Sequence, residues 1–180
     1  MCRRLFPDEY YESSYVIPYE KLYDEGYRGI IYDIDNTLVP HGFPADDRTL
    51  ELFDRLRDIG FDVTLLSNNK QPRVDMFNEK INAHTISKAG KPNPGNYLRA
   101  CELMGLDKSK VMFVGDQIFT DIWGAKCAGL HAIMVKFIDP HEEIQIVLKR
   151  LIEKPVLCAY FRSRSNKKNS CLFSFNRINC

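Results

Sequence analysis

Residues 28–34 read Arg-Gly-Ile-Ile-Tyr-Asp-Ile, and the apolar side chains in this run do not alternate with polar ones. A strand that is apolar on both faces needs cover on both faces, which is the situation of a parallel sheet packed between helices. The rest of the chain offers that cover. Asp46–Ile59 carries Leu50, Leu52, Phe53, Leu56 and Ile59 at helical spacing, with Gly60 as a stop. Phe61–Leu66 reads as a second strand, and Gln71–Lys80 as a short helix with Pro72 near its start. His84–Ile86 is a brief strand, Pro94–Met104 a helix ended by Gly105, and Lys110–Val114 a strand. Thr120–Ala128 reads as a helix ended by Gly129, His131–Val135 as a strand and Glu142–Ile152 as a closing amphipathic helix. The expected fold is therefore α/β, a Rossmann-like parallel sheet with helices on both faces.

The regions outside this alternation divide the chain. Residues 28–157 form the expected core, and residues 1–27 an N-terminal arm packing on it. In the arm Tyr11, Tyr15, Tyr19, Tyr23 and Tyr27 recur every four residues. Pro18 forbids one long helix, but Pro18 and Gly26 frame a short one. Residues 158–180 read as a basic, flexible tail, with Arg162, Arg164, Lys167, Lys168 and Arg177 and no acid.

The formal net charge of +1 argues against an extended nucleic-acid surface. No apolar run approaches the roughly 20 residues of a spanning helix, and Pro7, Asp8 and Glu9 interrupt any leader-like start. Six cysteines are scattered without CxxC or zinc spacing, which fits reduced thiols in a cytoplasmic protein; a Cys171–Cys180 pairing is the alternative. The aromatic and basic tail adds peripheral membrane contact to the expectation.

Chemistry concentrates in four segments: Asp33-Ile34-Asp35-Asn36-Thr37, Ser67-Asn68-Asn69, Lys91-Pro92 and Gly115-Asp116 with Asp121. Each falls at or after the carboxyl end of an expected strand, where open α/β sheets bind ligands. Asp33 is placed to attack phosphorus and form an aspartyl phosphate. Asp35, two residues on, is placed to protonate the leaving oxygen and then activate water. Asn36 tolerates an unusual turn. Ser67 and Asn68 offer donors to phosphoryl oxygens, and Lys91 balances charge. Lys88 competes for that role but lies nearer the strand end, before the flexible Ala89-Gly90 pair. Asp33, Asp35 and Asp116 form the expected Mg²⁺ site. Asp121 positions metal-bound water or orients Lys91, and Thr37 is a supporting residue. His41, His84, His131 and His141 read as structural or solvated.

These segments resemble the motifs of the haloacid dehalogenase superfamily of aspartate-nucleophile phosphatases. The strings Gly29-Ile-Ile-Tyr-Asp-Ile-Asp-Asn-Thr-Leu-Val and Val114-Gly-Asp-Gln-Ile-Phe-Thr-Asp are similar to its YqeG subfamily, which is related to phosphatidylglycerophosphate phosphatases. The resemblance spans roughly residues 5–155 and implies Mg²⁺ dependence, with Asp35 giving its backbone carbonyl to the metal. Asn36 stands where many members carry Gly, and the tail after Leu157 matches nothing in the family. The short segments between motifs leave no room for a cap domain, so the site is expected to be open to a phosphate on a bulky carrier. The leading expectation is a phosphomonoester hydrolase, with phosphatidylglycerophosphate as candidate substrate. Its alternatives are a phosphatase of a soluble sugar or nucleotide phosphate, and a slow phospho-aspartate signalling module.

Overall fold

The computed structural model describes residues 3–139 and 152–164. Within residues 1–142, a first compact unit, six parallel strands form one sheet in the order β1-β6-β5-β2-β3-β4. The strands are β1 (Glu9–Tyr11), β2 (Gly29–Tyr32), β3 (Asp62–Leu66), β4 (His84–Ile86), β5 (Val111–Gly115) and β6 (His131–Val135). The helices are α1 (Tyr19–Asp24), α2 (Asp47–Ile59), α3 (Gln71–Asn78), α4 (Gly95–Leu103) and α5 (Trp123–Ala128).

The apolar run at 28–34 behaves as its composition demands. All four residues of β2 are buried, in register with β3 on one side (Tyr32 opposite Leu65) and β5 on the other (Tyr32 opposite Val114). On one face α2 turns Leu52, Phe53 and Leu56 into a cluster with Ile30, Tyr32 and Leu65. On the other, Phe113 meets Tyr97 of α4 with ring centroids 5.1 Å apart. Asp46 caps α2 by accepting the Thr49 N–H at 2.8 Å, and Gly60 ends it at φ 106°, a left-handed conformation that suits glycine.

The chain runs from β2 outward through β3 to β4, then returns to β5 on the other side of β2. The sheet's switch point therefore lies between β2 and β5, and a crevice opens outside their carboxyl ends. Among the described residues, no further helix or strand is inserted between β2 and α2.

Three features differ from the sequence reading or extend it. The arm contributes a strand: Glu9–Tyr11 pairs with Ile133–Val135 at the sheet edge, a pairing too short and too polar to announce itself. Tyr19 of α1 is fully buried, and its hydroxyl accepts from that of Tyr32 at 2.5 Å. The helix expected over 120–128 begins instead as a wide π-type turn, Ile118–Ile122, before α5. The N–H groups of Asp121 and Ile122 both reach the Gln117 carbonyl, at 3.0 and 3.1 Å. Such a widened turn is frequent at functional positions.

In the second unit, 143–180, residues 152–164 are helical. Apart from Ile152, the closing helix expected over 142–152 lies outside the described residues, as does the tail from residue 165. Cys101, Cys127 and Cys158 are free thiols; Cys2, Cys171, Cys180 and His141 lie outside the described residues. No described helix is long and apolar enough to cross a membrane.

Candidate active site

The crevice between β2 and β5 brings together Asp33, Lys91, Asp116 and Asp121 of the expected residues. Asp33 follows β2, and its main-chain N–H still bonds the Val114 carbonyl at 3.0 Å, which fixes the strand end. Lys91 sits opposite, 8% exposed, with Nζ donating to Asp33 Oδ1 at 2.5 Å and to Asp121 Oδ1 at 2.7 Å. Lys88 is exposed and makes no such contact, so of the two candidate lysines Lys91 enters the crevice. The Lys91–Pro92 bond is cis.

Asp116, at the end of β5, is fully buried and accepts a hydrogen bond from Thr37 Oγ1 at 3.1 Å. Asp121 Oδ2 accepts the N–H groups of Asp116 and Gln117 at 3.2 and 3.0 Å, so the π-type turn folds its carboxylate back over the strand end. The fold permits this because residue 115 is glycine. A Cβ there would lie 2.7 Å from Asp121 Cβ, closer than carbon atoms pack. Tyr97 steadies the turn from below, donating to the Thr120 carbonyl at 2.8 Å.

Asp33, Asp116 and Asp121 each present an oxygen within 4.8 Å of the others, and all three are buried. Lys91 Nζ bonds two of the three, Asp33 and Asp121. Burial pushes the Asp33 carboxyl up to about 7; Lys91 pulls against this and Asp121 adds to it. For Lys91 burial opposes the charge, but Asp121 and Asp33 together more than offset it and hold the ammonium protonated. Buried carboxylates that outnumber the cations beside them call for a proton or a further cation. A set of hard oxygen donors suits Mg²⁺.

Asp35 faces elsewhere. Its Oδ1 accepts the Gly42 N–H and Arg73 Nη2–H, both at 2.8 Å, and its Oδ2 accepts from Asn69 Nδ2 at 2.6 Å. Its carboxylate therefore stands apart from the three-acid cluster. His41 Nδ1 lies 3.7 Å from Asp35 Oδ1 and is half exposed. Asn36 adopts φ 63°, the left-handed turn that its residue type tolerates, and it receives the Asp139 N–H on Oδ1 at 3.1 Å.

Ser67 is buried at the end of β3. Its N–H bonds the Ile86 carbonyl at 3.0 Å, and its Oγ accepts the Asn69 N–H at 3.1 Å. Asn68 is exposed, and its Oδ1 accepts the Lys91 N–H at 2.8 Å, tying the second and third segments together.

Sequence reasoning assigned no site role to four contributors. Ser14 Oγ donates to the Thr37 carbonyl at 2.7 Å, and the Tyr15 hydroxyl to the Leu38 carbonyl at 2.6 Å, so the arm braces the loop after Asp35. The tyrosine repeat marked Tyr15 as a packing residue, but nothing marked the carbonyl it meets. Asn69 and Arg73 hold Asp35. Arg73 had one sign: a cation in the first turn of a helix opposes the helix dipole and needs a reason to be there.

Residues 41–129 match the family model of haloacid dehalogenase-like hydrolases. Over 164 residues the chain is 35% identical to the "Probable phosphatase YqeG" of Bacillus subtilis, covering 90% of this chain and 95% of that protein. Over 92 residues it is 24% identical to a glyceraldehyde 3-phosphate phosphatase of Pyrococcus abyssi, covering 46% of this chain and 39% of that one. A superfamily hydrolase from Ehrlichia chaffeensis shares the fold, at TM-score 0.51 and 17% identity over 74% of this chain and 97% of that one. The chain belongs to the haloacid dehalogenase superfamily and, within it, to the YqeG-like phosphatases. It is thus a phosphatase whose substrate is a phosphate ester.

Proposed function

We propose that this phosphatase is a Mg²⁺-dependent phosphomonoesterase working through an aspartyl phosphate on Asp33. The observation that carries the reading is the bridge from Lys91 Nζ to Asp33 and Asp121 beside buried Asp116. Mg²⁺ would be held by Asp33, Asp116 and the Asp35 backbone carbonyl, and would offset negative charge on the phosphoryl oxygens and the attacking carboxylate. Asp33 attacks phosphorus, and Lys91 steadies the charge on that carboxylate and on the phosphoryl group. The Ser67 hydroxyl, which accepts from Asn69, keeps its own proton for a phosphoryl oxygen. Asn68, its oxygen taken by Lys91 N–H, presents its amide hydrogens. Asp35 protonates the leaving oxygen and then takes a proton from the hydrolytic water. Asp121 orients Lys91, and Thr37 orients Asp116.

The proposed substrate is a lipid phosphate of the phosphatidylglycerophosphate kind. The subfamily resemblance supports it, and so does a crevice with no inserted helix or strand between β2 and α2, which leaves room for a bulky carrier. A soluble phosphate ester is the second reading, favoured by the glyceraldehyde 3-phosphate phosphatase among the relatives. Phosphate release from phosphatidylglycerophosphate in mixed micelles, compared with sugar and nucleotide phosphates at equal Mg²⁺, separates them. The expected result is a kcat/KM at least about 10-fold higher for the lipid, a difference of about 1.4 kcal/mol in the barrier. Preference for a soluble ester would transfer the assignment to it.

The Asp33 shift sets a pH dependence. Mg²⁺ requires the carboxylate, whereas Asp33 carries a proton below about 7. Mg²⁺ affinity should be nearly level above that pH and weaken by up to about 10-fold per unit below it. Thermal shifts on Mg²⁺ titration at several pH values between 5 and 8 would check this, and an affinity level across the range would contradict it.

A further inference from the structure

Asp35 is gripped on three sides, by the Gly42 N–H, Asn69 Nδ2 and Arg73 Nη2. The Arg73 grip is unusual for a structural ion pair. Its Nε and Nη1 are buried and have no hydrogen-bond partner among the described residues. The guanidinium carbon instead lies over the Phe77 ring, 5.6 Å from its centroid. A buried guanidinium satisfied at one nitrogen leaves two donors uncompensated, which works against stability. Its place in the first turn of α3 adds to the cost, because a cation there opposes the helix dipole. A side chain set against stability on two counts, and joined to the one carboxylate outside the acid cluster, is there for what it does to that carboxylate.

We propose that Arg73 is a positioning residue for Asp35 and offsets the negative charge that Asp35 acquires during phosphoryl transfer. The inference rests on the aspartyl-phosphate reading. As an Asp33 oxygen forms its bond to phosphorus, the bond from phosphorus to the leaving oxygen breaks and its electron pair goes to that oxygen. The leaving oxygen takes the proton of Asp35, whose carboxylate then stands beside a fixed guanidinium with donors to spare. In the second half, that carboxylate takes a proton from water as the water oxygen attacks phosphorus, and the Asp33–phosphorus bond breaks. Arg73 thus favours the charged form in the first half. Asn69 and Gly42 keep the same oxygens aimed through both halves.

The test uses two monoesters that differ in their need for an acid. The phenolate of p-nitrophenyl phosphate departs without a proton, whereas glycerol 3-phosphate must release an alkoxide. With full-length protein, and enough enzyme to measure wild-type turnover of both esters, kcat/KM is determined for Arg73→Ala and Arg73→Lys. Arg73→Ala should lose about 100-fold on glycerol 3-phosphate and less than about 3-fold on p-nitrophenyl phosphate, with Lys recovering part of the loss. Equal losses on both esters, or no loss on the alkyl ester, would overturn the proposal. If Arg73→Ala fails to fold, Arg73→Gln is read the same way. Asp35→Asn separates this inference from its foundation. A split with Asp35→Asn but none with Arg73→Ala overturns the Arg73 role alone. No split with Asp35→Asn removes the acid/base reading and the Arg73 role with it.

Discussion

Asp33→Asn is expected to lower turnover of every phosphate ester by at least about 10⁴-fold while leaving the protein folded. The carboxamide keeps the shape of the side chain but has no anionic oxygen to attack phosphorus. Its effect on stability should run the other way. Burial raises the Asp33 pKa in the folded protein. The folded state therefore holds a proton that the unfolded chain releases earlier as pH rises. Stability attributable to Asp33 is present at acid pH and is lost as pH climbs to about 7. At pH 8 without divalent metal, the wild type carries that penalty in full and the Asn variant does not. The variant should therefore melt higher than wild type in chelator, and adding Mg²⁺ should narrow or reverse the gap. Phosphate-release assays and paired melts check both halves. Retained turnover would remove Asp33 as nucleophile, and a lower melting temperature in chelator would contradict the electrostatic account.

Lys91→Met should be the most damaging single change to the fold of the site. It leaves Asp33 and Asp121 buried without the ammonium that touches both. Removing one partner of a buried ion pair costs about 3–5 kcal/mol, which in a domain of this size lowers Tm by about 10 °C. Turnover should fall by about 10³-fold with it, because in the proposed mechanism the same ammonium steadies the charge on the phosphoryl group. Lys88→Ala is the control. Lys88 is exposed, and its loss should shift stability by less than about 0.5 kcal/mol and leave turnover intact. Similar effects from the two variants, by differential scanning fluorimetry and phosphate release, would contradict the assignment of Lys91.

The sheet and the four chemical segments were legible because their signals are local. β2 announces itself by burial on both faces, and Gly60, Gly105 and Gly129 mark helix ends by conformations that few other residues adopt. Asp33, Lys91, Asp116 and Asp121 converge because they share one edge of a parallel sheet, which the order of elements alone implies. What was not legible depends on pairs distant in sequence. Glu9–Tyr11 becomes a strand only because β6 offers an unpaired edge. Ser14 and Tyr15 matter through the carbonyls of Thr37 and Leu38, and main-chain acceptors leave no mark in a sequence. The π-type turn that folds Asp121 back over β5 was read as the start of an ordinary helix, since one extra residue in a turn changes no hydrophobic period. Arg73 lies outside every motif, and only the carboxylate it meets gives it meaning.

The pairing of β1 with β6 has a consequence for the order in which the enzyme becomes competent. Residues 9–11 emerge from the ribosome more than a hundred residues ahead of the strand that seats them. Until 131–135 has been made and laid beside β5, the stretch carrying Ser14 and Tyr15 is anchored on its later side alone, through Tyr19 and Tyr32. The loop they brace, which follows the two carboxylates of the first motif, also waits for the Asp139 N–H that Asn36 Oδ1 receives. The nascent chain can build the centre of the sheet early, but the edge that seats its N-terminal arm closes late, through its most distant pairing and at the slow pace that such contacts impose.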